Sequence, residues 1–167
     1  EVEDTIGMDE PFYYRNKAQY PVGYDKGIIT GFYAANSHRI IDFDNCYIGS
    51  KRNREILNIV KNFIVENNIT AYDETTGRGI VRHILIREGH FTGEIMVCLI
   101  VNGSKFKYKT QLANALKDVE GVKSVSVNYN TTKSNVILGD KVETVYGSDF
   151  ITDYIGDLKF EISPLSF

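Results

Sequence analysis

Residues 80–101 read IVRHILIREGHFTGEIMVCLIV, and this stretch decides the fold that the 167-residue sequence predicts. Its two arms, 80–87 and 94–101, are rich in β-branched side chains, and the glycines of the segment between them are typical of a turn. The pattern therefore predicts a β-hairpin. Because the second arm is apolar on both faces, we expect it to lie inside a sheet that is covered on both sides.

Two further apolar patterns recur at helical spacing. The first follows Ser50, a candidate N-cap, and ends at Asn67-Asn68, whereas the second covers residues 110–119 and ends before Gly121. Residues 28–33 are β-branched and aromatic, and apolar residues alternate with polar ones at 125–129, so that both segments are predicted as strands. Residues 136–138, 142–146 and 158–162 are predicted as further strands. Residues 20–23, YPVG, have the composition of a turn. We therefore expect an α+β fold in a single domain, with a mostly antiparallel sheet and two packed helices.

Composition excludes several classes of protein. With 43% apolar and 25% charged residues, the chain resembles a globular protein. No apolar run reaches the roughly 18 residues of a membrane span, and no secretory segment opens the chain, so we expect a cytoplasmic protein with no membrane partner. The two cysteines, Cys46 and Cys98, do not form a disulfide framework. The net charge of −3 means that any RNA contact must come from a local basic patch.

The motifs of an active site are missing from the sequence. There is no Gly-rich loop between a strand and a helix, and no cysteine or histidine pair has the spacing of a metal site. His38, His83 and His90 have no evident partner in the sequence, and we interpret them as surface or strand histidines. Their residue types alone indicate no catalytic role.

Aromatic and basic residues alternate at residues 13–17, Tyr-Tyr-Arg-Asn-Lys, in what we interpret as one strand. Arginine and aromatic rings stack on unpaired bases, and lysine and arginine neutralise phosphate. On composition alone, this segment is equally compatible with an RNA-binding strand and with an ordinary half-exposed strand. For Lys105, Lys107 and Lys109 we favour the ordinary interpretation, with the lysines in solvent and Phe106 and Tyr108 packed inward.

Residues 14–22, YRNKAQYPV, resemble the signature run of the central domain in RNA (uracil-5-)-methyltransferases. Other segments resemble this family in the same order, so that the resemblance covers nearly the whole chain: Gly31-Phe32-Tyr33 with Ser37-His38, residues 69–74 with Gly77, 81–84 with Arg87, 92–94, Asn102-Gly103, Tyr146-Gly147 and 162–167. The family combines an oligonucleotide-binding barrel, a central domain and an S-adenosylmethionine-binding catalytic domain. In it a cysteine thiolate adds to C6 of an extruded uridine before C5 takes the methyl group.

The resemblance also implies roles for individual residues. Arg15 and Lys17 match a segment that faces RNA, and Phe167 matches an aromatic residue that stacks beside the target base. Cys46 matches the fourth ligand of a [4Fe-4S] cluster that many family members hold with three upstream cysteines, although in members without the cluster it is an ordinary thiol. The family's nucleophile and base lie downstream of Phe167, so we expect no catalytic residue in this chain.

Three side chains keep simpler interpretations. Arg82 and Arg87 either extend the basic surface or form ion pairs within the sheet, and the sequence leaves both alternatives open. Cys98 lies within an apolar strand, where we expect it in the core.

We therefore predict that residues 1–167 are the central RNA-recognition domain of a longer, monomeric enzyme, without its oligonucleotide-binding and catalytic domains. The enzyme would transfer a methyl group from S-adenosylmethionine to C5 of a uridine during ribosomal RNA processing, with large-subunit ribosomal RNA as its substrate. Transfer RNA is the alternative substrate. A stand-alone, non-enzymatic RNA-binding module is the alternative from another class of protein.

Overall fold

The computed structural model of the chain describes residues 2–43 and 45–166. In chain order its elements are β1 (Lys17–Tyr24), β2 (Ile28–Tyr33), β3 (Ile40–Asp42), α1 (Asn53–Glu66), β4 (Val81–Glu88), β5 (Ile95–Val101), α2 (Lys109–Leu116), β6 (Val122–Tyr129), β7 (Lys141–Gly147), β8 (Ile151–Ile155) and β9 (Leu158–Ile162). Seven strands form one sheet in the order β3-β2-β1-β4-β5-β6-β7, and β8 pairs with β9. The α+β fold class and the single compact domain are confirmed.

The predicted hairpin forms the centre of the sheet. β4 and β5 pair in antiparallel fashion, with Leu85 opposite Cys98. All seven residues of β5 are buried, which confirms its predicted position inside the sheet. β5 and β6 are the one parallel pair of the seven-stranded sheet, and α2 connects them as a crossover helix.

Both helices pack on the same face of the sheet. Ile56, Val60 and Ile64 of α1 are fully buried there, together with Leu112 and Leu116 of α2. α1 begins at Asn53, and its N-cap is Arg52 rather than the predicted Ser50. The Ser50 hydroxyl instead accepts a hydrogen bond from the Arg52 amide at 3.1 Å, one turn ahead of the helix. Its end at Glu66, before Asn67, is as predicted.

The opposite face, called here the helix-free face, is covered by the segment that follows β6. Ile137 and Leu138 pack on a buried cluster of Leu85, Cys98 and Ile100. Residues 136–138 are not a strand, which corrects the prediction. Their backbone groups bond instead to the side chain of Asn130, which donates to the carbonyls of Val136 and Ile137 at 2.7 and 2.9 Å.

Two strands differ from the prediction for tertiary reasons. Residues 20–23 are part of β1 rather than a turn, because Tyr20 and Val22 are buried in the core between the sheet and the helices. The unpredicted strand β8 is anchored through Asp153, whose carboxylate accepts hydrogen bonds from the amides of His90 and Phe91 at 2.7 and 2.9 Å. These bonds tie the β8–β9 hairpin to the turn between β4 and β5.

Residues 70–80, called here the 70–80 loop, connect α1 to β4 in a compact arrangement. The Asp73 carboxylate accepts hydrogen bonds from the Thr75 amide and the Thr76 hydroxyl, both at 2.8 Å. Gly79 adopts φ +106°, and a Cβ atom at this position would lie 2.0 Å from the Ala71 carbonyl oxygen. The close approach of these two backbone segments thus depends on glycine.

Neither helix in the described part of the chain has the length and apolar character to cross a membrane.

Candidate nucleic-acid interface

Arg15 and Lys17 lie at the start of β1 and pair with different segments of the chain. β1 begins only at Lys17, because Tyr13 has a left-handed φ of 56° and interrupts the single strand that we predicted for residues 13–17. Arg15 is exposed and its amide donates to the Ile48 carbonyl at 2.8 Å. Burial raises the pKa of Tyr20 to about 12, and the nearby charge of Arg15 acts against that shift. The backbone of Arg15 pairs with the segment before α1, at Ile48 and Gly49.

Lys17 lies on the helix-free face beside a second cation. In the register of β1 and β4, Lys17 is opposite Arg87, while their neighbours Ala18 and Ile86 point into the core. Burial, followed by the charge of Arg87, lowers the pKa of Lys17. Arg87 is only 7% exposed, and its guanidinium donates to the carbonyl of Ser166. Two adjacent positive charges at this edge are suited to an anionic partner.

Phe167, the predicted stacking residue, lies outside the described residues. Its sequence neighbour Ser166 is held at the Lys17–Arg87 pair through the bond from Arg87. Ser166, the last described residue, therefore lies beside the pair of strands that contains Lys17.

A groove lined mainly by aromatic and basic residues adjoins Arg15. It has a volume of about 310 Å³, and its lining includes Tyr13, Tyr14, Arg15, Lys51 and Arg52. Glu88 is its one acidic lining residue, and the Glu88 carboxylate accepts a hydrogen bond from the Ser50 hydroxyl. The Lys51 ammonium lies 4.7 Å from the centre of the Tyr13 ring, and Tyr14 is 52% exposed. Exposed rings beside cations are the combination that binds unpaired nucleotides. Lys51 lies just before α1, and it comes beside Tyr13 only because the chain folds back, so no local sequence pattern indicates this contact.

Among the described residues, Arg82 and Arg87 bond to backbone carbonyls and form no ion pair, and a role of either side chain in RNA binding stays a prediction. Arg82 is 4% exposed and donates to the carbonyls of Asn130 and Thr132 at 3.0 and 2.6 Å. Its guanidinium also lies 4.6 Å from the centre of the Tyr72 ring. Both arginines thus donate to backbone carbonyls on the helix-free side.

Cys46 and Cys98 lie in contrasting environments. Cys98 is fully buried in β5, as predicted, and burial raises the pKa of its thiol to about 12, so it is not a nucleophile. Cys46 is partly exposed near Gly49, just before α1. Within residues 2–43 and 45–166, no three histidine, cysteine or acidic side chains are grouped as metal ligands. The chain supplies at most one thiolate at this place, so it does not fit a [4Fe-4S] cluster by itself, and cluster binding stays a prediction.

The histidines are surface and strand residues, as the sequence indicates, but two of them have partners that the sequence did not reveal. The His38 Nδ1 atom pairs with the Glu74 carboxylate, which also accepts a hydrogen bond from the Tyr33 hydroxyl at 3.0 Å. The same hydroxyl lies 3.5 Å from Nε2 of His83. Burial, reinforced by the charge of Arg82, lowers the pKa of His83 to about 4. Burial, and then Glu74, raises the pKa of Tyr33.

Comparison with known proteins finds relatives whose alignments extend over the whole chain. The chain is 44% identical over 169 residues to an "uncharacterized RNA methyltransferase" of Clostridium tetani, and 47% identical over 168 residues to one of Halalkalibacterium halodurans. These alignments cover 100% and 99% of this chain. The chain spans about 37% of the length of each relative. No protein-family model matches the chain.

One solved structure is similar in both fold and sequence. The crystal structure of Pyrococcus abyssi tRNA (uracil-54, C5)-methyltransferase in complex with S-adenosyl-L-homocysteine superposes with a TM-score of 0.79 at 29% sequence identity. The match covers 95% of this chain and 38% of that protein. In all three comparisons the chain matches a similar fraction of the longer protein, 37% of each relative and 38% of the solved structure.

Proposed function

We infer, from this chain's membership of the RNA methyltransferase family, that it is the RNA-recognition part of an enzyme that methylates C5 of a uridine. The observation that carries the inference is the likeness to the Pyrococcus abyssi tRNA (uracil-54, C5)-methyltransferase along 95% of the chain. S-adenosyl-L-homocysteine, bound in that structure, is what remains of S-adenosylmethionine after methyl transfer. We propose S-adenosylmethionine as the methyl donor here, bound by a part of the protein outside this chain.

The role of these residues in such an enzyme is to hold and orient RNA. Lys17 and Arg87 place two positive charges side by side on the helix-free face, and the groove beside Arg15 adds exposed rings and Lys51. Cations fix the phosphates of an RNA strand, whereas rings stack on its unpaired bases. Because the Cys98 thiol is buried with a raised pKa, we propose that the nucleophile, like the donor site, lies elsewhere in the protein.

Two RNA substrates are proposed. The sequence resemblance favours large-subunit ribosomal RNA. The likeness to a methyltransferase named for uracil-54 of transfer RNA favours transfer RNA as the second candidate. A non-enzymatic RNA-binding module would share the fold and the groove but would transfer no methyl group.

Methyl transfer by the complete protein tests this function. The protein is incubated with labelled S-adenosylmethionine and unmodified ribosomal or transfer RNA, and the RNA is digested to nucleosides. We expect label in 5-methyluridine from one of the two RNAs, and none from the 167-residue chain alone, which serves as the control. Label in another nucleoside would reject the C5 assignment, and the absence of label in both RNAs would favour the non-enzymatic module.

Replacement of Arg15 or Lys17 by alanine is expected to weaken RNA binding to a similar extent for all sequences, because both side chains contact phosphate in this proposal. For single-stranded RNA, the slope of log affinity against log salt concentration should fall by about 0.7 for each cation removed. Fluorescence anisotropy at several salt concentrations measures both quantities.

Lys105→Ala is the matched control for these two variants, because it removes an exposed lysine that we expect to be only solvated. It should leave the salt slope unchanged. Equal slopes for all four proteins would show that Arg15 and Lys17 do not contact RNA phosphate.

A further inference from the structure

A second cleft lies on the helix-free face, away from the Lys17–Arg87 pair. It has a volume of about 600 Å³, and its walls include Tyr33, His38, Tyr72, Glu74 and Arg82. It opens into a recess of about 250 Å³ that shares His38, Tyr72, Glu74 and Arg82 and adds Lys133. Binding sites for small ligands typically have volumes of roughly 300–1,000 Å³, so the cleft can hold one nucleotide.

Glu74 holds an exposed imidazole in place at the mouth of this cleft. Both of its carboxylate oxygens are used, one by the Tyr33 hydroxyl and the other by Nδ1 of His38. The His38 side chain nevertheless stays 69% exposed, with its ring packed edge-on against Tyr33 at 5.7 Å between centroids. Fixing an exposed side chain costs conformational entropy, and this one contributes little to the core. The His38 ring, exposed to solvent and fixed in orientation by Glu74 and Tyr33, is suited to contact a ligand.

The back wall of the cleft combines an aromatic ring with a buried charge. The Arg82 guanidinium stacks on Tyr72 at 4.6 Å and is held by two backbone carbonyls. Its Nε atom is buried without a hydrogen-bond partner within the described part of the chain. Lys133 adds an exposed ammonium at the rim of the recess. Asp73, the other acidic group of the 70–80 loop on this wall, is bonded to Thr75 and Thr76.

We propose that this cleft binds an unpaired nucleotide of the RNA, with His38 as the contacting group and Glu74 as the residue that positions it. The proposal rests on the proposed function, since it requires that the chain binds RNA. It adds a contact that is separate from the Lys17–Arg87 pair. His83, which borders the cleft, lies four residues before Arg87 on the same face of β4, or about 13 Å along the strand. One RNA strand can therefore reach both places.

Photo-crosslinking tests where the RNA lies. The chain is irradiated with single-stranded RNA that contains 4-thiouridine, and the crosslinked peptides are identified by mass spectrometry. We expect crosslinks to the peptide that contains Tyr33 and His38, or to the one that contains Tyr72, in addition to those near Arg15 and Lys17. Crosslinks confined to the Arg15–Lys17 region would overturn this proposal and leave the proposed function standing. No crosslink anywhere on the chain would overturn both.

A double-mutant cycle tests the positioning role of Glu74. His38→Ala should weaken RNA binding about tenfold, the range observed when one stacked or bonded base loses its partner. Glu74→Gln, which removes the charge that fixes the imidazole, should weaken it to a similar extent, and the double variant should lose no more than His38→Ala alone. Additive losses would show that Glu74 does not act through His38.

The controls of this cycle separate binding from stability. Lys105→Ala should bind RNA as the unchanged chain does, and thermal unfolding should show that His38→Ala, an exposed substitution, leaves the fold intact. Unchanged affinity in a folded His38→Ala variant would reject the proposal.

Discussion

Replacing Gly79 by alanine is expected to lower the free energy of unfolding by about 4 kcal/mol. The residue has φ +106°, which costs an L-amino acid roughly 1–3 kcal/mol. The new Cβ atom would also lie 2.0 Å from the Ala71 carbonyl oxygen, and relieving such an overlap costs about as much again. Since the Ala71 backbone cannot withdraw without breaking its bridge to Val81, the 70–80 loop would have to move as a unit.

Gly27→Ala is the matched control for this prediction. No atom lies within 4 Å of a Cβ built at Gly27, and its φ is outside the left-handed region. We expect a change of at most about 0.5 kcal/mol there. Chemical denaturation of the three proteins measures both effects. Similar stability of the two variants would mean that the 70–80 loop tolerates a side chain at residue 79, against the geometry described above.

The second large effect is a loss of stability in acid that depends on His83. Burial and the Arg82 charge lower the pKa of His83 to about 4 in the folded chain, from the model-peptide value of 6.5. The unfolded chain therefore takes up the proton first. The part of the free energy of unfolding that depends on a neutral imidazole is fully present above pH 6.5. It is lost as the pH falls from 6.5 to about 4. The difference between pH 7 and pH 4 is about 3 kcal/mol.

His83→Gln isolates this contribution, because the glutamine amide can still donate a hydrogen bond to the Tyr33 oxygen, whose own proton is donated to Glu74, but does not titrate. Denaturant unfolding at pH 7 and pH 4 gives the free energies of both proteins. The unchanged chain should lose about 3 kcal/mol more than the variant between these two pH values. Parallel losses in the two proteins would show that His83 keeps its ordinary pKa in the folded state.

Elements with a strong local pattern could be predicted from the sequence. The hairpin of β4 and β5 and the apolar stripe of α1 each contain their own periodicity, and both lie where they were expected. The prediction was wrong where long-range contacts decide. Residues 20–23 have turn-forming composition, yet they extend because Tyr20 is fully buried in the core. Residues 136–138 are a short apolar run like that of a buried strand, but the Asn130 side chain donates to the carbonyls of Val136 and Ile137.

In the candidate site, too, local patterns could be predicted and long-range contacts could not. Arg15 and Lys17 were recognised from a local run of residues, and no observation so far tests their contact with RNA. The partners of His38 and His83 could not be predicted, because Tyr33, Glu74 and His83 belong to three separate segments. The pairing of β2 and β4 with β1 brings Tyr33 close to His83, and the 70–80 loop adds Glu74. A weak clue was present in the sequence, since all three segments are among those that resemble the methyltransferase family.

The register that places Lys17 opposite Arg87 also has a kinetic consequence. β2, β3, α1 and the 70–80 loop separate β1 from β4 in sequence, so that pairing these two strands closes a long loop, and closing such a distant contact is slow. The β4–β5 hairpin, by contrast, is local and can form early. The pair of cations is thus completed late in folding, and a newly made or partly unfolded chain does not display it. RNA would then select fully folded molecules and, by mass action, protect them from unfolding.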